Sequence, residues 1–385
     1  MTRLLFLAAA LFTIVQSYNV AIFAPAMANS QILWNKRVGE ELMNAGHNVT
    51  IFMLQLMEKE LPKVDIHPKV HVVYVNASFG MDGEEMMKMQ SVMAFQNLPL
   101  WDSRMRASMA RFGEMYKSCE VMITNTSFHN LIIDSKFDIA FSHMYNYCSI
   151  GMIHITKIPT WIWLNSGALL DNVASSMGVP LPPSYCAPMM MDSGDKLSFI
   201  ERVKSFIGHM IFKVTFKRIV ADRETEVFRK YFGDDFPDLV DVASKAPIVM
   251  VNSNELYDLP RPTLHKIVNI GGVGIKHKDA KNLTGEFAKR TEKAKDGVIV
   301  FSFGSIAPVY LMPEATLDNL VPAGVNLNIF VYHSVDVILF LFFALFLVLF
   351  LVYKIVKCTC SAACRKLGFC KSPQETKKEQ EKKKQ

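Results

Sequence analysis

The stretch NVAIFAPAMANSQILWNKRVGEELMNAGHNVTIFML, residues 19–54, decides the fold. Residues 19–27 form a continuous apolar run of strand length ending at Pro25, and Ser30 is placed to cap the periodic segment that follows, residues 31–45. There Ile32, Leu33, Val38 and Leu42 fall near one helical face, Gly46 stops the helix, and residues 47–54 resume a strand. A strand, a helix and a second strand in this order predict a parallel pair with a right-handed crossover.

Outward from this unit the alternation continues. Residues 70–76, 137–144, 160–166 and 247–253 read as strands, with helical segments between them, notably 101–122. The expected fold class is α/β, a Rossmann-like doubly wound parallel sheet. Ligands of such sheets bind beyond the carboxyl ends of strands, which directs attention to the loop 25–30 and to the region after Ser142.

The 385 residues are 50% hydrophobic, with a formal charge of +6. Residues 354–385 hold ten Lys/Arg and three Glu, a net of +7, so the rest of the chain is close to neutral and carries no nucleic-acid footprint. Met1-Thr2-Arg3, an apolar run over 4–15 and the small Ser17 before Tyr18 predict a removed signal peptide, residues 1–17. Residues 337–353 are uncharged, and with their flanks they approach the ~20 residues a helix needs to cross ~30 Å of hydrocarbon. A single C-terminal transmembrane helix is expected over 333–355. Lys354 and Lys357 place the tail, 356–385, in the cytosol and the body in the lumen, and Lys382 and Lys383 match a retrieval signal for the endoplasmic reticulum. The lipid bilayer is thus an expected partner, in a single-pass type I arrangement.

Asn48, Asn76, Asn125 and Asn282 begin Asn-x-Ser/Thr sequons. Cys119, Cys148 and Cys186 lie in the body, and an odd count there argues against a disulfide framework. Cys358, Cys360, Cys364 and Cys370 in the tail fit no tidy zinc spacing. His67 and His71 flank Pro68 and do not share a helical face, so no metal site is expected. The Met-rich stretches 81–93 and 189–191 serve as core filler or as an adaptable apolar surface. Residues 197–218 are apolar on more than one face with basic residues interleaved, which suits ordinary packing or a helix against a bilayer or a partner. NIGGVG, residues 269–274, reads as a turn before a linker, 276–296, rather than as a phosphate loop.

Several motifs taken together carry a resemblance. AGHNVT closes the first βαβ, PPSYCAPMMMDSGDKLSFIERVKS stands mid-chain, GVIVFSFGS follows the linker, and YHSVDV leads into the transmembrane helix and its Lys-rich tail. This order resembles the membrane-bound UDP-glucuronosyltransferases, from Asn19 onward. The resemblance implies two facing Rossmann-like domains, the N-terminal one (here 18–275) for a small lipophilic acceptor and the C-terminal one for a UDP-sugar. It implies transfer of glucuronic acid or another hexose for detoxification, with no cofactor beyond the UDP-sugar co-substrate, and possible homo- or hetero-oligomers with family members. The family's base, a His oriented by an Asp, falls here on Gln31 and its partner on His143. Glutamine has no basic nitrogen. Either His143 is itself the base with Gln31 positioning the acceptor, or the two side chains simply hydrogen-bond.

Gly304 and Ser305 match the family's approach to the donor phosphates, in a first-strand remnant over 297–314. The juxtamembrane segment, 315–332, then follows directly. Residues 297–327 number thirty-one, whereas such a domain needs roughly 100–200. Most of the donor-binding domain is therefore expected to be missing, and the chain to be inactive alone. The alternative to an enzyme is a non-catalytic, membrane-anchored acceptor-binding or regulatory subunit that pairs with complete family members.

Overall fold

The computed structural model describes residues 17–58, 64–95, 98, 102–189, 191, 193–194, 196–275, 282–295, 297–298 and 335–366. Residues 1–16 of the expected signal peptide, Gly304, Ser305, the juxtamembrane segment and Cys370 lie outside the described residues. In chain order the elements are β1 (Asn19–Pro25), α1 (Asn29–Asn44), β2 (Asn48–Gln55), β3 (His71–Asn76), α2 (Gly83–Phe95), α3 (Ser103–Phe112), α4 (Tyr116–Thr124), α5 (Thr126–Asp134), β4 (Ile139–Ser142), α6 (Cys148–Ile155), β5 (Thr160–Asn165), α7 (Asp171–Met177), α8 (Phe199–Phe216), α9 (Asp222–Phe232), α10 (Leu239–Ser244), β6 (Ile248–Val251), β7 (Ile267–Asn269), α11 (Gly285–Lys293) and α12 (Val335–Lys366).

The strands form one parallel sheet in the order β3-β2-β1-β4-β5-β6-β7. Strand β1 pairs with β2 from Asn19↔Asn48 to Pro25↔Leu54 on one side and with β4 from Val20↔Ile139 to Phe23↔Ser142 on the other. The central strands read as apolar runs because both faces are covered. On one face Val20, Ile22 and Ala24 pack with Val49, Ile51 and Met53 beneath Ile32, Trp34 and Val38 of α1. On the other, Ala21 and Phe23 join Phe52, Phe128, Met122 and Ile150 in the larger core. Met81, Met86 and Met89 are buried in that core, which favours the packing role for the Met-rich stretch.

The expected α/β doubly wound class is what the structure shows, with several local corrections. Strand β1 ends at Pro25, as expected. Helix α1 has Ala28 at its N-cap with no side-chain cap bond, so Ser30 sits inside the first turn. Gly46, at φ 93°, ends that helix where expected. The segment 101–122 divides into α3, a 3₁₀ turn over Gly113–Met115 and α4. A Cβ at Gly113 would collide with Ile219, which fixes the break. Strand β7 was not foreseen. It is three residues long and mostly exposed at the sheet edge, too short to leave a pattern.

Cys119 of α4 and Cys148 at the start of α6 form a disulfide, with Cα atoms 5.4 Å apart. The parity argument fails because pairing needs only two of the three body cysteines, and Cys186 remains free and buried. The linker carries the exposed helix α11. Helix α12 holds the one segment among the described residues long and apolar enough to cross a membrane, Val337–Lys354, and the helix runs on to residue 366, past its expected end at 355.

Candidate functional site

Three loops meet at the carboxyl ends of β1, β4 and β5. Gln31, in the first turn of α1, is buried, and its Nε2 donates to Tyr145 Oη at 2.7 Å. Tyr145 lies between β4 and α6, and its oxygen is 3.2 Å from Ser166 Oγ in the loop after β5. The phenol oxygen accepts from Gln31 and shares a second hydrogen bond with the Ser166 hydroxyl, in which either oxygen can donate. The carboxamide of Gln31 is thereby fixed, and its backbone carbonyl is held by Asn35 Nδ2 at 2.8 Å. Gln31 Oε1 is buried with no hydrogen-bond partner, and so are both amide atoms of the fully buried Asn165 at the end of β5.

His143 does not bond Gln31. Its Nδ1 accepts from the backbone N–H of Tyr145 at 3.3 Å, and its Nε2 is buried without a partner. Burial pushes the imidazole down to about 3. It is therefore neutral at physiological pH, and the reading in which it titrates near neutrality is corrected, as is the direct Gln31–His143 bond. Burial also raises the Tyr145 phenol, with lesser opposing effects from its bonds to Ser166 and Gln31. The loop that presents these groups is pinned by Trp163 Nε1 to the His143 carbonyl and Asn172 Nδ2 to the Met144 carbonyl, each at 3.0 Å.

A second buried group borders the first. Asp171, at the start of α7, accepts from Met189 N–H at 3.0 Å and faces His209 Nδ1 at 3.9 Å. His209 Nε2 lies 2.7 Å from the Cys186 carbonyl, while Arg261 reaches the Leu169 carbonyl and Asp258. Desolvation raises the Asp171 carboxyl against the opposing pull of its Met189 bond, His209 and Arg261.

Tyr145 and Ser166 were missed in the sequence. Tyr145 does fall in the region after Ser142 that the carboxyl-end rule marks. Of the sequon asparagines, Asn48, Asn76 and Asn282 are exposed, while Asn125 is half-buried and caps α5 by accepting from Phe128 N–H at 3.0 Å. Among the described residues no three His, Cys, Asp or Glu side chains converge as a metal site would require.

The family model for "UDP-glucoronosyl and UDP-glucosyl transferase" matches residues 21–320. The chain belongs to this family. Relatives of this transferase family include the putative UDP-glucuronosyltransferase ugt-48 of Caenorhabditis elegans, 29% identical over 317 residues, covering 80% of this chain and 58% of that one. UDP-glucuronosyltransferase 2B9 of Macaca fascicularis is 26% identical over 286 residues, covering 70% and 52%. Among solved structures the calicheamicin glycosyltransferase CalG4 overlaps at a TM-score of 0.35 with 11% identity, covering 66% of this chain and 53% of that one. The chain thus spans little more than half the length of these UDP-glucuronosyltransferase relatives.

Within the transferase family the resemblance puts the base at position 31, where this chain has a carboxamide. Among the described residues, the buried His143 imidazole, the buried Tyr145 phenol and the carboxamides of Gln31 and Asn165 stand at this end of the sheet.

Proposed function

We propose that the domain is the acceptor-binding half of a UDP-sugar transferase, that it holds small lipophilic molecules carrying a hydroxyl, and that it transfers no sugar alone. The observation that carries this reading is Gln31 Oε1, a buried acceptor without a donor whose Nε2 is already committed to Tyr145. Buried polar atoms left unpaired are costly, and a ligand O–H supplies the missing donor. A carboxamide receives that hydrogen bond but does not remove the proton, so binding survives where deprotonation does not. The same reading makes α12 the single span in the endoplasmic reticulum membrane, with the body lumenal and a detoxifying role shared with complete family members.

The test compares a phenol with its methyl ether. Titration calorimetry on the full chain is expected to show the phenol binding about tenfold tighter, the equivalent of ~1.4 kcal/mol. Tyr145→Phe should shrink that ratio toward one. Equal binding of phenol and ether by the native chain would sink the Gln31 role. Sugar transfer from UDP-glucuronate by the purified chain would overturn its inactivity alone.

A second reading keeps the enzyme, with a donor unit lent by a partner. Leu256 and Tyr257, which follow β6 at the carboxyl side of the sheet, are almost fully exposed and favour a covering surface there. Transfer that appears only on mixing with a full-length family member would select this reading.

A further inference from the structure

We infer that helix α8 lies flat in the membrane interface beside α12, giving the chain a second contact with the bilayer that does not cross it. The inference rests on the reading of α12 as a membrane span. Ile200, Ile207, Met210, Ile211 and Val214 of α8 are all exposed, Ile200 and Met210 at 61% and Val214 at 53%. At ~100° per residue these five positions fall within an arc of about 100°, a continuous apolar stripe on one side of the helix.

The opposite side is already committed to the protein. Ser205, buried, donates to the Cys186 carbonyl at 3.4 Å, and His209 bonds the same oxygen. Gly208 sits so close under Pro188 that a Cβ there would come within 2.8 Å of the proline ring. Helix α8 therefore turns a packed face to the loop before it and an unpartnered apolar face outward.

Two observations choose the bilayer as the occupant. At the start of α8 the ring of Phe199 meets the ring of Phe340 edge-on, with centroids 5.7 Å apart, and Phe340 is the fourth residue of the apolar span Val337–Lys354. The stripe thus begins where the span enters the body. Exposed Lys204, Lys213 and Arg218 border the stripe, and their long apolar stems let the charged ends reach headgroup phosphates while the stripe sinks among the acyl chains.

The experiment reconstitutes the full chain in phosphatidylcholine vesicles with a minority of phosphatidylserine, with and without brominated acyl chains. Met210→Trp and Val214→Trp each add a fluorophore on the stripe, and Leu256→Trp adds one on the exposed loop after β6; the wild-type emission is subtracted from all three. Several-fold stronger bromine quenching at positions 210 and 214 than at 256 is the expected result. Co-flotation of the chain without that difference overturns the α8 contact and leaves the α12 span standing. Failure of the chain to float with the vesicles overturns both. Quenching absent at 210 and 214, together with concentration-dependent self-association, would hand the stripe to a second copy instead.

Discussion

A carboxamide at position 31 offers hydrogen-bonding atoms without a basic nitrogen, and burial makes the pairing of those atoms count. A comparable effect of burial acts at Glu224, in the first turn of α9. Its Oε2 accepts from Tyr147 N–H at 2.8 Å, its Oε1 has no partner, and burial pushes the carboxyl up to about 8 despite the Tyr147 bond. A carboxyl near 4.5 when unfolded and about 8 when folded binds its proton more tightly in the native state. The stability it contributes is complete below pH ~4.5 and is lost progressively as pH rises through about 8. Glu224→Gln carries no such charge. The difference in melting temperature, variant minus wild type, should therefore climb between pH 5 and 8.5 by several degrees, read by circular dichroism; a flat difference would show that the carboxyl is not held protonated. Gln31 and the stretch after Ser142 were legible in the sequence because strand ends and motif spacing are local. The Gln31–Tyr145–Ser166 chain was not, since it joins side chains 114 and 21 residues apart through loops whose course no local pattern fixes.

Among the elements, the central strands were legible because burial on both faces leaves an unbroken apolar run. The break between α3 and α4 and the short β7 depend on packing partners far along the chain, and so left no trace. The contact between α6 and α9 is of this kind. Gly151 in α6 lies against Phe228, which stacks on Phe236 with ring centroids 4.9 Å apart, and a Cβ at 151 would come within 2.3 Å of the Phe228 ring. Helix propensity alone makes Gly→Ala stabilising by roughly 0.5–1 kcal/mol. Overpacking reverses the sign: Gly151→Ala should cost about 1–3 kcal/mol in urea denaturation, and adding Phe228→Leu should recover part of it. A stabilised Gly151→Ala would mean that the two helices can part without penalty.

For the molecule as a whole, the Cys119–Cys148 disulfide ties α4 to α6 across 29 positions of sequence, with both cysteines fully buried. Closing a loop of that size constrains the unfolded chain by about 3–4 kcal/mol. Cys119→Ser with Cys148→Ser should lower stability by that order, and a reductant should destabilise the native chain while leaving the double variant unchanged; equal sensitivity of both would deny the cross-link. The strand order carries one more consequence. Strand β1, the first to be made, stands between β2 and β4, so a nascent chain leaving the ribosome can zip β1, β2 and β3 early, but β1 meets β4 only after residue 139 has emerged, 119 positions behind Val20. Until then one flank of β1 has its backbone amides and carbonyls bare, and a chain stalled in that interval is half a sheet with an open seam, a natural client for a chaperone that holds extended segments.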